Sequence, residues 1–262
     1  MNALPLLGAL TAMALLLSGC GRGDDGDAGP LVNEPREVES FDSIDLEGAA
    51  KVEIKIGEPL SVLVSGTEKS VRRLESHVSG GTLYLKNKPR DWVLRNNSRL
   101  TVQITVPELE SLRLEGGNDV SITGLRGGDT TIKASGAANI TADGELNELT
   151  VRLTGAGHAD LSKLAVTEAK VTVDGVGSVV VNPREALDAT MNGVGAIFYT
   201  GTPHKVNTRM NGLGTIARQE ASDPPNAEPK LEEPTDPGSL QLEREDPKQE
   251  NVEHKPGQRI VI

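Results

Sequence analysis

Residues 151–181 read VRLTGAGHADLSKLAVTEAKVTVDGVGSVVV, and the stretch states one theme twice. Val151-Arg152-Leu153-Thr154-Gly155-Ala156-Gly157 returns as Val171-Thr172-Val173-Asp174-Gly175-Val176-Gly177. The theme extends in both directions. Upstream stand Leu112-Arg113-Leu114-Glu115-Gly116-Gly117 and Ile132-Lys133-Ala134-Ser135-Gly136. Downstream stand Met191-Asn192-Gly193-Val194-Gly195 and Met210-Asn211-Gly212-Leu213-Gly214. Set in phase, the units lie 18, 21, 20, 18 and 19 residues apart. An apolar residue follows each glycine group: Val120, Ile140, Leu161, Val181, Ile197 and Ile216. A repeat this short is too small for a helical pair and suits one coil of a β-solenoid.

Within each unit apolar and polar residues alternate with period two, the mark of a strand buried on one face. Stacked coils pair their backbones in parallel, and inward side chains meet their counterparts above and below, so Val, Ile and Leu recur. Gly155, Gly157, Gly175, Gly177, Gly193, Gly195, Gly212 and Gly214 are expected at structural turns, where the backbone takes angles other residues resist. Six coils at about 4.8 Å make a stack of roughly 29 Å. Thr154, Asp174, Asn192 and Asn211 precede the first glycine in four successive units, as in a polar ladder bonded to the turns. A calcium site is the rival reading, but the acidic nonapeptide pattern of calcium-binding coils is absent.

Period-two alternation also runs through the earlier part of the chain, without the repeat. It marks Phe41 to Leu46, Val52 to Ile56, Val62 to Val64, Leu83 to Leu85 and Leu100 to Val106. No helical stripe is persuasive, and Val71-Arg72-Arg73-Leu74 is expected to form a single turn.

Two motifs carry a family resemblance. The domain opens with Phe41-Asp42-Ser43-Ile44-Asp45-Leu46-Glu47-Gly48-Ala49-Ala50-Lys51-Val52-Glu53-Ile54. It closes with Gly193-Val194-Gly195-Ala196-Ile197-Phe198-Tyr199, then Gly201 and Pro203, then Met210-Asn211-Gly212-Leu213-Gly214-Thr215-Ile216. Together they resemble the family called the putative auto-transporter adhesin head, or GIN, domain, a domain of unknown function. The resemblance covers roughly 37–219. It implies an all-β fold, a right-handed parallel β-helix (β-solenoid) with coils of about 18–21 residues, in a secreted or lipid-anchored bacterial envelope protein. It brings no catalytic residues.

The two ends differ from the domain in composition. Residues 4–17 are apolar or small and carry no charge, which is too short for a span of about 20 residues and fits a signal peptide. They end in Leu17-Ser18-Gly19-Cys20, which resembles the lipobox of bacterial lipoproteins. The resemblance implies cleavage before Cys20 and lipidation of its thiol and new amino group. Several acyl chains anchor stably where one is marginal. Gly21 follows the cysteine, so the implied address is the cell envelope, by default the outer membrane. The expected organisation is therefore a signal peptide over 1–19, lipidated Cys20 with a flexible tether over 20–36, the domain over 37–219, and a tail over 220–262. The tail holds 7 of the 15 prolines, with 11 acidic and 5 basic residues, and is read as disordered. Its last residues, Arg259-Ile260-Val261-Ile262, are either a frayed end or a strand that adds to a partner's sheet edge.

Composition narrows the function. The net charge is −11 and five residues are aromatic, which argues against nucleic acid as a partner. The single cysteine excludes an internal disulfide framework and any zinc site built on several thiolates. No metal ligand set, cofactor motif or catalytic constellation is evident. Asp119, Asp129, Asp143, Asp160 and Asp174 fall at different phases of the repeat, and the four histidines are isolated. Ser178 matches His158 one coil later, but a serine–histidine pair needs an orienting group and an oxyanion site. Basic residues gather around Trp92: Arg90, Arg95 and Arg99, with Lys86 and Lys88. This is either a packed loop or a binding loop for an anionic envelope polymer or lipid head groups.

The expected function is a non-enzymatic envelope lipoprotein: an adhesin-like interaction or scaffold module. Its partners are the membrane, through the lipid, and an envelope protein or polysaccharide. The alternatives are a carbohydrate-active β-helix enzyme, a lyase or hydrolase, and an envelope stress or signalling component. A groove with convergent Asp, Glu, Lys or Arg distinguishes the enzyme.

Overall fold

The computed structural model describes residues 30–87 and 100–219. Those residues are all-β apart from one six-residue helix, and their twelve strands form a single sheet that does not close on itself. The strands are β1 (Leu31–Arg36), β2 (Ser43–Ile56), β3 (Ser61–Thr67), β4 (Leu74–Ser79), β5 (Thr82–Asn87) and β6 (Thr101–Val106). They continue as β7 (Ser111–Arg126), β8 (Asp129–Val173), β9 (Val176–Met191), β10 (Val194–Tyr199), β11 (Lys205–Met210) and β12 (Leu213–Arg218).

From β7 onward the pairing is parallel and follows the repeat. Leu112 lies opposite Ile132, Val171 opposite Ala189, and Val179 opposite Ile197. The extended run of β8 turns back on itself, which brings Gly155 against the carbonyl of Gly136. The register therefore advances by 20 residues from Gly116 to Gly136 and 19 from Gly136 to Gly155, where the sequence phase gives 18 and 21. Val120, Ile140, Val179, Ile197 and Ile216 fall in one inward row; Leu161 and Val181 belong to the row beside it, with Ile122.

Inward rows explain the composition. Leu46, Leu114 and Ala134 stack in register and are buried, as are Val173 and Met191. Each fully covered Val, Leu or Ile contributes roughly 1.5–3 kcal/mol. Met210 continues the second row on the last pass, where nothing described covers it, and it is 42% exposed.

The sheet is mixed, which corrects the expectation of a purely parallel fold. β1 pairs antiparallel with β3, β3 with β6, and β4 with β5. A two-residue turn returns the chain antiparallel from β4 to β5, whereas β1–β3 and β3–β6 join strands that are not neighbours in the sequence. Gly80 and Gly81 join β4 to β5 with φ of +57° and +76°, the angles of a type I′ hairpin turn that glycine adopts freely. β1 falls within the stretch read from sequence as tether, and it lies along β3.

The helix α1 (Glu68–Arg73) overlaps the single turn expected over Val71–Leu74 but begins three residues earlier, and Leu74 already belongs to β4. Thr67 caps it, its Oγ1 accepting the Ser70 N–H at 3.3 Å, with Glu68 in the first turn and Arg72 and Arg73 in the last. Arg36 Nη2 donates to the Val71 carbonyl at 2.9 Å, and the Val71 side chain is buried. β2 is the hinge of the whole: β5 pairs with its first half, β6 with its second half, and β7 with both.

Candidate functional site

The groove with the most varied chemistry lies where the hairpin β4–β5 meets β2 and β7. On the outward side of this seam, register places His77 opposite Tyr84, Tyr84 opposite Asp45, and Asp45 opposite Arg113. One residue pair further on, Glu75 lies opposite Lys86, Lys86 opposite Glu47, and Glu47 opposite Glu115. Two rows of side chains on four adjacent strands thus line a cavity of about 400 Å³.

Each member is held by its neighbour. The His77 and Tyr84 rings stack at 5.1 Å between centroids and 14° between planes. Lys86 Nζ pairs with Glu47 Oε2, and this bond raises the lysine pKa above its ordinary value. Arg113 Nη2 lies 3.2 Å from Glu115 Oε1, and its Nε lies 3.9 Å from Asp45 Oδ2. Burial raises the Asp45 pKa; the Arg113 charge opposes the shift, and Glu115 and Glu47 add to it. Tyr84 is 37% exposed, so its ring is available to solvent.

A second cavity of about 310 Å³ opens on the later passes, lined by Glu148, Glu168, Lys170, Asp188 and Lys205 among others. It contains no aromatic ring.

The outward rows of the parallel region are ladders. Asn192 Nδ2 donates to Asp174 Oδ1 at 2.6 Å, and Asn211 Nδ2 donates to Asn192 Oδ1 at 2.9 Å. Arg152 Nη2 lies 2.5 Å from Asp174 Oδ2. Of the four positions where a ladder is expected, Asp174, Asn192 and Asn211 are joined side chain to side chain rather than to the turns, and Thr154 is not part of the chain of bonds. Asn139 Nδ2 donates to Asp119 Oδ1 at 3.3 Å in a parallel row.

Two glycine columns stand beside the ladder. A Cβ on Gly155, Gly175, Gly193 or Gly212 would lie 1.7–2.1 Å from the carbonyl oxygen of the glycine one pass below. The same holds for Gly177, Gly195 and Gly214, while Gly157 sits over Ala138 at 2.6 Å. Gly195 and Gly214 have φ of +149°; at the others it is the close approach of backbone that leaves no room for a side chain.

His158 Nδ1 and Ser178 Oγ meet at 2.6 Å, as their spacing predicts. His158 is exposed, and the adjacent carboxylate is engaged elsewhere: Asp160 Oδ1 accepts the Ser162 N–H at 3.1 Å. Bonds from the Ser162 hydroxyl and N–H lower the Asp160 pKa. Among the described residues, no group of three or more His, Cys, Asp or Glu is placed to hold a metal ion. No described helix is long and apolar enough to cross a membrane. Cys20, Arg90, Trp92, Arg95, Arg99 and the Arg259–Ile262 end lie outside the described residues.

The groove itself escapes sequence reading. The hairpin signal Gly80-Gly81 announces the His77–Tyr84 pair, but the approach of Arg113 to Asp45 depends on a register between residues far apart in the chain.

Comparison with known proteins bears on the fold. The family described as putative auto-transporter adhesin, head GIN domain, matches residues 40–203. A putative adhesin from Bacteroides fragilis has a similar structure, with a TM-score of 0.61 at 21% identity, over 74% of this chain and 99% of that one. A putative lipid binding protein from Parabacteroides distasonis aligns with a TM-score of 0.43 at 20% identity, over 74% and 98% of the two chains. A putative cell adhesion protein from Clostridium sporogenes aligns with a TM-score of 0.39 at 18% identity, over 73% and 100%. No curated protein matches the chain.

Proposed function

The chain belongs to the putative auto-transporter adhesin, head GIN domain family, and from that membership we propose that it is a non-enzymatic, adhesin-like module of the bacterial cell envelope. In this reading the passes from β7 onward wind as a right-handed parallel β-helix. Cys20 carries the lipid that holds the module on the membrane, in the outer membrane by default. The Gly-x-Gly pairs are its structural turns. The working surface is the outward side of the sheet, and the partner is an envelope protein or polysaccharide.

The observation that carries the reading is the family match over 40–203, joined to an outward face whose charged groups bind one another. A hydrolase needs a carboxylate free to give or take a proton and a second one across the scissile bond. Here Glu47 is tied to Lys86 and Glu115 to Arg113, which leaves Asp45 and Glu75 as the groove's carboxylates outside a close ion pair. The enzyme alternative keeps one supporting observation, the raised pKa of Asp45. It predicts release of reducing ends from a polysaccharide, abolished in Asp45→Asn.

The test is attachment. Cells displaying the full chain are compared with cells carrying Cys20→Ser, on surfaces coated with envelope polysaccharide or envelope protein. The reading predicts that the native chain fractionates with membranes and promotes attachment. The Cys20→Ser chain is expected in the medium or soluble fraction, with attachment lost. Equal attachment by both would overturn it.

A further inference from the structure

Tyr84 gives one ring face to His77, and on its other side Asp45 and then Arg113 follow in register. Tyr84 and Arg113 are the register neighbours of Asp45 on its two sides, so two strand spacings, roughly 10 Å, separate their backbones. A flat ring lodged between them at van der Waals distance, about 4 Å from each, touches both. Asp45 forms the floor, half-buried, with its Oδ2 3.9 Å from Arg113 Nε.

We propose that this slot binds one uncharged hexopyranose residue of a glycan chain, stacked on Tyr84, its hydroxyls bonded to Asp45 and Arg113. The inference deepens the proposed function by naming the ligand class of that groove, and it rests on that reading only for its biological setting. The chemistry selects the class. The C–H face of a pyranose is apolar and packs on an aromatic ring, while its rim presents hydroxyls that donate to carboxylates and accept from a guanidinium. A planar aromatic ligand leaves those rim partners unused. Four carboxylates, Asp45, Glu47, Glu75 and Glu115, face two cations, Lys86 and Arg113, and the surplus of negative charge disfavours a uronic acid. The groove is open to solvent, as Tyr84 shows, which suits a residue within a chain. The second groove on the later passes has charges but no ring, so it lacks the stacking face.

The experiment is saturation-transfer NMR on the full-length chain with four probes: cellotriose, maltotriose, trigalacturonate and trilysine. A neutral trisaccharide is expected to bind, weakly, with the strongest transfer to the protons of one ring. Tyr84→Ala should weaken that binding about tenfold or more, Tyr84→Phe should retain it, and Asp45→Asn should weaken it severalfold. Tyr84 is at the surface, and the unfolding temperature of each variant verifies that it is folded. The proposal is overturned if neither neutral trisaccharide binds, if trigalacturonate binds as tightly, or if trilysine alone binds. It is equally overturned if Tyr84→Ala binds like the native chain. Failure of the whole panel leaves the envelope-module reading standing, because that reading is decided by attachment and by Cys20.

Discussion

From Ser111 to Arg218 every strand meets its neighbours in parallel, each pass laid on the one before, whereas Leu31 to Val106 contain three antiparallel pairings and a helix. The two regions share a sheet and a core, and they differ in what their outward residues do. In the parallel region the rows are repetitive, so like side chains meet and satisfy one another, as Asp174, Asn192 and Asn211 do. Where the first region meets β7, the hairpin brings unlike residues together, and the Tyr84 ring, the Asp45 carboxylate and the Arg113 guanidinium lie in one row. Repetition builds the support; its interruption builds the groove.

The comparison is broken most severely at the glycine columns. Gly193→Ala places a Cβ 1.7 Å from the Gly175 carbonyl oxygen, backbone against backbone, and should cost about 3 kcal/mol or prevent folding. Gly57→Ala meets nothing within 4 Å and should leave the unfolding temperature nearly unchanged. Circular dichroism melts of the two variants check this. A mild effect at Gly193 would show that the passes are not held at the spacing described.

The polar ladder comes next. Asn192→Ala removes the donor to Asp174 and the acceptor for Asn211, and should cost about 1 kcal/mol by chemical denaturation. The ladder is exposed, so the loss stays well below that of a core substitution.

pH separates the two regions by sign. The folded pKa of Asp160 is lowered, so its contribution is present above the ordinary aspartate value and is lost as pH falls through the folded value. The folded pKa of Asp45 is raised, so the fold binds its proton more tightly, and acidification relieves a penalty there. Melts between neutral and acidic pH should therefore show Asp160→Asn less stable than the native chain at neutral pH, with the difference vanishing in acid. Asp45→Asn should compare most favourably with the native chain at neutral pH and lose that relative advantage in acid. Smallest of all, Arg184→Ala removes an exposed ion pair to Glu145 and should change stability by less than about 0.5 kcal/mol.

The parallel region is the part legible in sequence, because each pass constrains the next. Once Gly155 and Gly175 are seen as counterparts, the Asp174–Asn192–Asn211 ladder and the His158–Ser178 contact follow. The phase of the earliest units is less clear, since apolar residues alone align Leu114 with Ile132 as readily as Leu112. The glycine column decides it: only glycine on glycine permits the backbones to approach at Gly116 and Gly136. The first region carries a weaker signal. Gly80-Gly81 between Val78 and Leu83 marks a hairpin. Ile44-Asp45-Leu46-Glu47-Gly48 matches Leu112-Arg113-Leu114-Glu115-Gly116, which lies beside it in register with Gly116 on Gly48, but the match is isolated from the regular repeat that follows. Period-two alternation fixes which side faces in and leaves strand order and direction open, so the antiparallel pairings of β3 with β1 and with β6 have no sequence signature of their own.

The most direct measurement compares the two grooves in one assay. Cells displaying Tyr84→Ala, in the groove beside the hairpin, and cells displaying Lys170→Ala, in the groove on the parallel passes, are scored for attachment to a polysaccharide-coated surface. Both variants are surface substitutions and should fold with unchanged unfolding temperatures. The account predicts that Tyr84→Ala loses most of the attachment and Lys170→Ala keeps it. Attachment lost in Lys170→Ala and kept in Tyr84→Ala would place the working surface on the repeat itself and contradict the account.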